Sequence, residues 1–123
     1  MSEVDLLETI LLVETDALQR SVVAQYLRDC GYRVVEATNA AEALTALAHQ
    51  DVHVLVTDLS LRDESGFQLS AKAKEVRPDL KVVVTHSAER TAKIAGDLCE
   101  DGPRDQPYHP QHLVERIRRL KHS

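Results

Sequence analysis

The sequence predicts one α/β domain, an open parallel sheet with helices on both faces, and three observations predict it. Short apolar runs alternate with segments of helical period along most of the chain, and the connections between them are short. Polar residues gather where the apolar runs end, as in Glu14-Thr15-Asp16, at Asp58 and at Thr85-His86. A strand buried on both faces reads as a continuous apolar run, and ligands of open α/β sheets bind beyond the carboxyl ends of such strands. A chain of 123 residues holds one core of ordinary size and is too short for a second effector domain, so residues 1–123 are read as one unit with 1–8 frayed at its start.

The run ILLV at 10–13 is the first strand. Over residues 17–30 the apolar side chains Leu18, Val22, Val23, Tyr26, Leu27 and Cys30 recur at helical spacing, and Gly31 follows as a terminator. Residues 32–37 form a second short strand. Asn39 then stands three residues before Glu42, a capping arrangement that opens a helix running to about His49. The β-branched run VHVLVT at 52–57 ends directly on Asp58.

Residues 65–77 carry Phe67, Leu69, Ala73 and Val76 on a loosely amphipathic helix closed by Pro78, and 80–85 read as a fourth strand. A helix follows over 89–99. The stretch EDGPRDQ at 100–106 has no apolar residue where a fifth buried strand belongs, so that strand is expected to be short or irregular. Residues 111–121 form the last helix, with Leu113, Val114, Ile117 and Leu120 on one face and a solvated arginine-rich face opposite.

Composition removes several function classes. Acidic residues outnumber basic ones 20 to 15, and a net charge of -5 offers no general attraction to nucleic acid or anionic membrane. No apolar run approaches the roughly 20 residues of a membrane span, and the N-terminus is acidic where a signal peptide is basic, which implies a cytoplasmic protein. Cys30 and Cys99 have no C-x-x-C spacing and are read as small buried apolar residues, without a disulfide or zinc. His109 and His112 are read as solvated surface. No glycine-rich phosphate loop follows the first strand, so a flavin- or nucleotide-binding enzyme is not expected.

The segments ILLVETDALQR, VLVTDLSLRDESGFQL, PDLKVVVTHSAER and QPYHPQHLVERIRRL, in that order, resemble the response-regulator receiver family over residues 9–121. The resemblance implies a flavodoxin-like doubly wound sheet of strand order 2-1-3-4-5. It also implies Mg2+-dependent transfer of phosphate from a histidine kinase or phosphotransfer protein to Asp58, and output through a downstream protein partner. Asp58 matches the acceptor, with Gly66 at the family's spacing. Glu14 matches the first of two metal-binding acids, and Ser60 the position whose backbone carbonyl joins the metal.

Other positions depart from the family. Thr15 stands where the second acid belongs and brings no negative charge, so Mg2+ should bind weakly. Asp16 is open to two readings, a substitute metal ligand or the N-cap of the first helix. Arg62 replaces a loop proline. His86 aligns with the switch Thr or Ser, and Gln106, before Pro107, stands where a lysine pairs with the phosphoryl group. These residues support two functions on one fold. One is a phosphoacceptor receiver acting through Asp58; the other is a pseudo-receiver that binds its partner without phosphorylation.

Overall fold

The computed structural model describes residues 8–121. Its elements, in chain order, are β1 Thr9–Val13, α1 Ala17–Asp29, β2 Arg33–Ala37, α2 Ala40–His49, β3 Val54–Asp58, α3 Gly66–Val76, β4 Lys81–Thr85, α4 Ala88–Glu100 and α5 Pro110–Lys121. The expected fraying over 1–8 lies outside the described residues except at Glu8, whose carbonyl accepts the Arg33 N–H at 3.1 Å.

Four strands pair in parallel in the order β2-β1-β3-β4. Because strand side chains alternate between faces, β1 sends Ile10 and Leu12 to one side and Leu11 and Val13 to the other. This is why a run without polar positions was needed at the centre of the sheet: all five residues of β1 are buried. β3 shares that character, with Val54 and Val56 on the first face and Leu55 on the second.

Local signals start and stop the helices. Asp16, Asn39, Ser65 and Ser87 each accept a backbone N–H of the first turn as N-caps, and Ser65 with Gln68 completes a reciprocal capping box. Glu42 accepts the N–H and hydroxyl of Thr38, and these hydrogen bonds hold its carboxyl below the usual value. Gly31 leaves α1 at φ +98°, a conformation that any L side chain would strain.

The C-terminal part departs from a five-stranded sheet. The flavodoxin-like parallel sheet is as expected through its first four strands, in the order 2-1-3-4; where a short or irregular fifth was expected, residues 101–109 contain no strand. The polar stretch 100–106 has no side chains to fill a strand buried on both faces. The loss of this strand changes where a helix goes. Connections between parallel strands are right-handed, and the steps β2 to β3 and β3 to β4 cross the sheet in the same direction, so α2 and α3 share one face. A strand beyond β4 would hold its connecting helix on that face as well. Freed of the constraint, α4 packs on the α1 face, where Ala92, Ala95 and Cys99 join Ile10, Leu12, Tyr26, Leu27 and Val54 in one core cluster.

A second correction concerns the cysteines. Cys30 and Cys99 are buried, as read from the sequence, but they form a disulfide with Cα atoms 5.6 Å apart. Separated by 69 residues, they meet only because α4 lies against α1. Three helix positions read as apolar-face residues are also exposed: Leu18 at 56%, Phe67 at 66% and Val76 at 52%.

Candidate functional site

The carboxyl edge of the sheet brings together the polar residues that follow β1, β3 and β4. Val13 pairs with Thr57, and Asp58 pairs with Thr85, so the ends of the three strands lie side by side. The backbone around Asp58 is held on each side. Leu59 N–H donates to the Thr85 carbonyl at 2.7 Å, the Thr57 hydroxyl to the Asp58 carbonyl at 2.9 Å, and Gly66 N–H to the Leu59 carbonyl at 2.7 Å. Gly66 is required here for space, since a Cβ would overlap the carbonyl oxygen of Asp58 and sit 3.1 Å from the Cα of Leu59.

The carboxylates of this edge differ in what they already hold. Glu14, 7% exposed, accepts the Asp16 N–H at 2.9 Å and the Gln19 side-chain amide at 2.8 Å, while its carbonyl accepts from Arg20 at 2.8 Å. Asp16 accepts the Gln19 N–H at 2.9 Å, so of its two sequence readings the structure has it capping α1. Asp63 accepts the N–H groups of Ala40 and Ala41 at 3.0 and 2.9 Å, and the hydrogen bond from Ala40, with that from Ala41, holds its carboxyl below the usual value. The half-buried Asp58 carboxylate alone makes no hydrogen bond or ion pair among the described residues of this edge.

The switch positions are engaged elsewhere. Gln106 donates its side-chain N–H to the Gly96 carbonyl of α4 at 2.9 Å. His86 is exposed beside Ser87, the N-cap of α4. The hydroxyl level with Asp58 in the ladder belongs to Thr85, which is buried and shares a hydrogen bond with Thr91 at 2.8 Å; Thr91 in turn donates to the Ser87 carbonyl at 3.0 Å. Thr15 donates to the Thr38 carbonyl, and Ser60 is exposed in an isolated bridge with Ser65.

Sequence reasoning missed Gln19, Asp63 and Thr91; it placed Thr85 on this edge but aligned the switch position with His86. Gln19 at a core-facing position of α1 was a legible signal, because a buried amide needs a partner. Nothing in the sequence pointed from Asp63 to α2. A divalent cation would find few protein ligands at this edge. Among the described residues no three His, Cys, Asp or Glu side chains form a metal-holding group, and each carboxylate oxygen of Glu14 already accepts one hydrogen bond.

The family model of the response regulator receiver domain matches residues 10–118. The chain belongs to that family. The receiver is 30% identical over 119 residues to the response regulator receiver protein CpdR of Brucella abortus, covering 93% of this chain and 97% of that protein. It is 38% identical over 109 residues to the DNA-binding transcriptional regulator NtrC of Rhizobium meliloti, covering 89% of this chain but only 22% of that protein. Its fold matches the CheY-like receiver domain protein of Methanospirillum hungatei with a TM-score of 0.64 and 26% identity, over 93% of each chain. Receiver identity accounts for the parallel strand order β2-β1-β3-β4. No helix among the described residues of the receiver is long and apolar enough to cross a membrane.

Proposed function

We propose that this receiver is a phosphoacceptor of two-component signalling. Asp58 takes a phosphoryl group from a histidine kinase or phosphotransfer protein in the cytoplasm, and the domain then acts on a downstream protein. The observation that carries this reading is the contrast among the carboxylates of the sheet edge. Glu14, Asp16 and Asp63 are committed to hydrogen bonds within the fold, whereas Asp58 stands uncommitted at the end of a central strand. In the transfer an Asp58 carboxylate oxygen attacks phosphorus, the P–N bond to the donor imidazole breaks, and the imidazole leaves and is neutralised by a proton. The product is an acyl phosphate on Asp58. The chain's role is to position the nucleophile, which Leu59, Thr57 and Gly66 do through the backbone.

The experiment is incubation with acetyl phosphate, with and without Mg2+, read by intact mass. Wild type should gain one phosphoryl group and Asp58→Asn none. Absence of labelling under every condition overturns the reading.

A second reading has its own support. The Gln106 amide and the Thr85 hydroxyl are both bound to α4, so neither is free to report a phosphoryl group. A ligand shifts an equilibrium only by its differential interaction with the two states. On this reading the domain is a pseudo-receiver interaction module, and a beryllofluoride mimic at Asp58 leaves amide shifts over residues 86–121 nearly unchanged.

A further inference from the structure

The strand missing after β4 leaves a sheet edge and a cavity beside it. Lys81 N–H donates to the His53 carbonyl, and the Thr85 carbonyl accepts from Leu59. In a parallel ladder the bonding residues alternate, so Lys81, Val83 and Thr85 turn their backbone groups toward β3, while Val82 and Val84 turn theirs away from the sheet. Among the described residues no strand lies beyond β4 to receive them. Unpaired strand edges are templates for another extended chain unless they are covered or charged.

The cavity beside this edge measures about 670 Å3, at the amino-terminal ends of the strands and thus away from Asp58. Its apolar wall is Tyr32, Val54, Val83, Ile94 and Leu98. The disulfide at Cys99 fixes the α4 side of it. Its rim is acidic: Glu8, Asp79, Asp97 and Asp101 are exposed and form no ion pair among the described residues, against the single unpaired cation of Lys81. Arg77, also on the rim, is held by Asp51 at 2.8 Å.

We propose that the free edge of β4 is a docking site for an extended segment of a partner protein, with apolar residues at alternate positions and lysine or arginine between them. The segment occupies the place of the missing fifth strand. Its backbone pairs with Val82 and Val84, its apolar side chains enter the cavity, and its net positive charge complements the acidic rim. Strand addition of this kind takes affinity from main-chain hydrogen bonds and specificity from alternate side chains. A second copy of this chain fits less well, because it would bring the same acidic rim and a net charge of -5.

The test uses the full chain and a short peptide of alternating valine and lysine, followed by amide exchange and chemical shifts. On addition of the peptide, the Val82 and Val84 amides should shift and exchange more slowly. Affinity should fall by about tenfold or more when alternate peptide amides are N-methylated, when glutamate replaces the lysines, and in Asp97→Lys. Val84→Pro removes the edge donor without touching the β3 ladder and should abolish binding while the β1 and β3 resonances persist. If N-methylation changes nothing, backbone pairing is refuted. Slow exchange at Val82 and Val84 in the free monomer would mean that residues 1–7 of the chain cover the edge, and protection that appears only on self-association would assign it to a second copy. Either result overturns the proposal. Asp58→Asn should bind the peptide as wild type does, which separates this site from the phosphoacceptor reading.

Discussion

The part of the receiver from Thr9 to Thr85 and the part from Ala88 to Lys121 are held in different ways. In the first, four strands form continuous ladders, and leucine, isoleucine and valine fill both faces of the sheet. In the second there is no ladder. α4 lies against α1 through the small side chains Ala92 and Ala95, and specific links do the rest: the Cys30–Cys99 disulfide, the Tyr26 hydroxyl on the Tyr108 carbonyl at 3.1 Å, the Tyr32 hydroxyl on the Leu98 carbonyl, and Gln106 on Gly96. Each tyrosine hydroxyl is pushed above its usual pKa, chiefly by burial. Where strand pairing is absent, a few long-range links decide position, and such a region yields to chemistry that leaves the sheet intact.

Truncating the sheet core should have the largest effect. Leu55 of β3 is fully buried in the core cluster that includes Leu11 and Leu69, and Leu55→Ala should cost about 4 kcal/mol and lower the whole denaturation midpoint. Retention of wild-type stability in urea would contradict the picture of a sheet-centred core.

Breaking the disulfide sharpens the contrast between the two parts. The double variant Cys30→Ala/Cys99→Ala should lose about 3 kcal/mol relative to the oxidised protein, within the usual range for a native disulfide. Amide protection should fall first in α4 and α5, while β1 and β3 keep theirs. Uniform loss across both parts would show that they are one cooperative unit.

A smaller effect is expected at the sheet edge. Mg2+ should bind weakly to wild type, and Thr15→Asp, by adding a ligand charge, should tighten binding by about tenfold, or roughly 1.4 kcal/mol. An unchanged titration would indicate that Asp16 leaves its cap to serve the metal.

The smallest concerns Asp63. Its folded pKa is depressed by the N–H groups of Ala40 and Ala41, so its stabilising contribution is present above the unfolded value and lost as pH falls through the folded one. NMR titration should give a midpoint below 3.8, and Asp63→Asn should remove the acid-dependent shift of the Ala40 amide. A midpoint at or above that value would mean the clasp on α2 is not formed.

Much of this receiver was legible in its sequence because the signals are local. Continuous apolar runs announce β1 and β3, Asp16, Asn39 and Ser65 announce helix starts, and Gly66 at its spacing from Asp58 marks the acceptor loop. The failure of strand pattern over 100–106 was legible too, since a polar stretch cannot fill a buried strand. What that failure does to the fold was not. The side of the sheet on which α4 packs depends on whether a parallel strand lies beyond β4, and handedness acts on the whole connection. The disulfide follows from that placement, because Cys30 and Cys99 carry no mark of each other across 69 residues. Likewise the sequence placed Asp58, Glu14 and Asp16 on one edge, but only the tertiary structure decided which of them is uncommitted. Glu14 is engaged by the Asp16 N–H and the Gln19 amide, and Asp16 by the Gln19 N–H, while Asp63 is held by Ala40 and Ala41; a carboxylate's availability depends on every donor within reach of it.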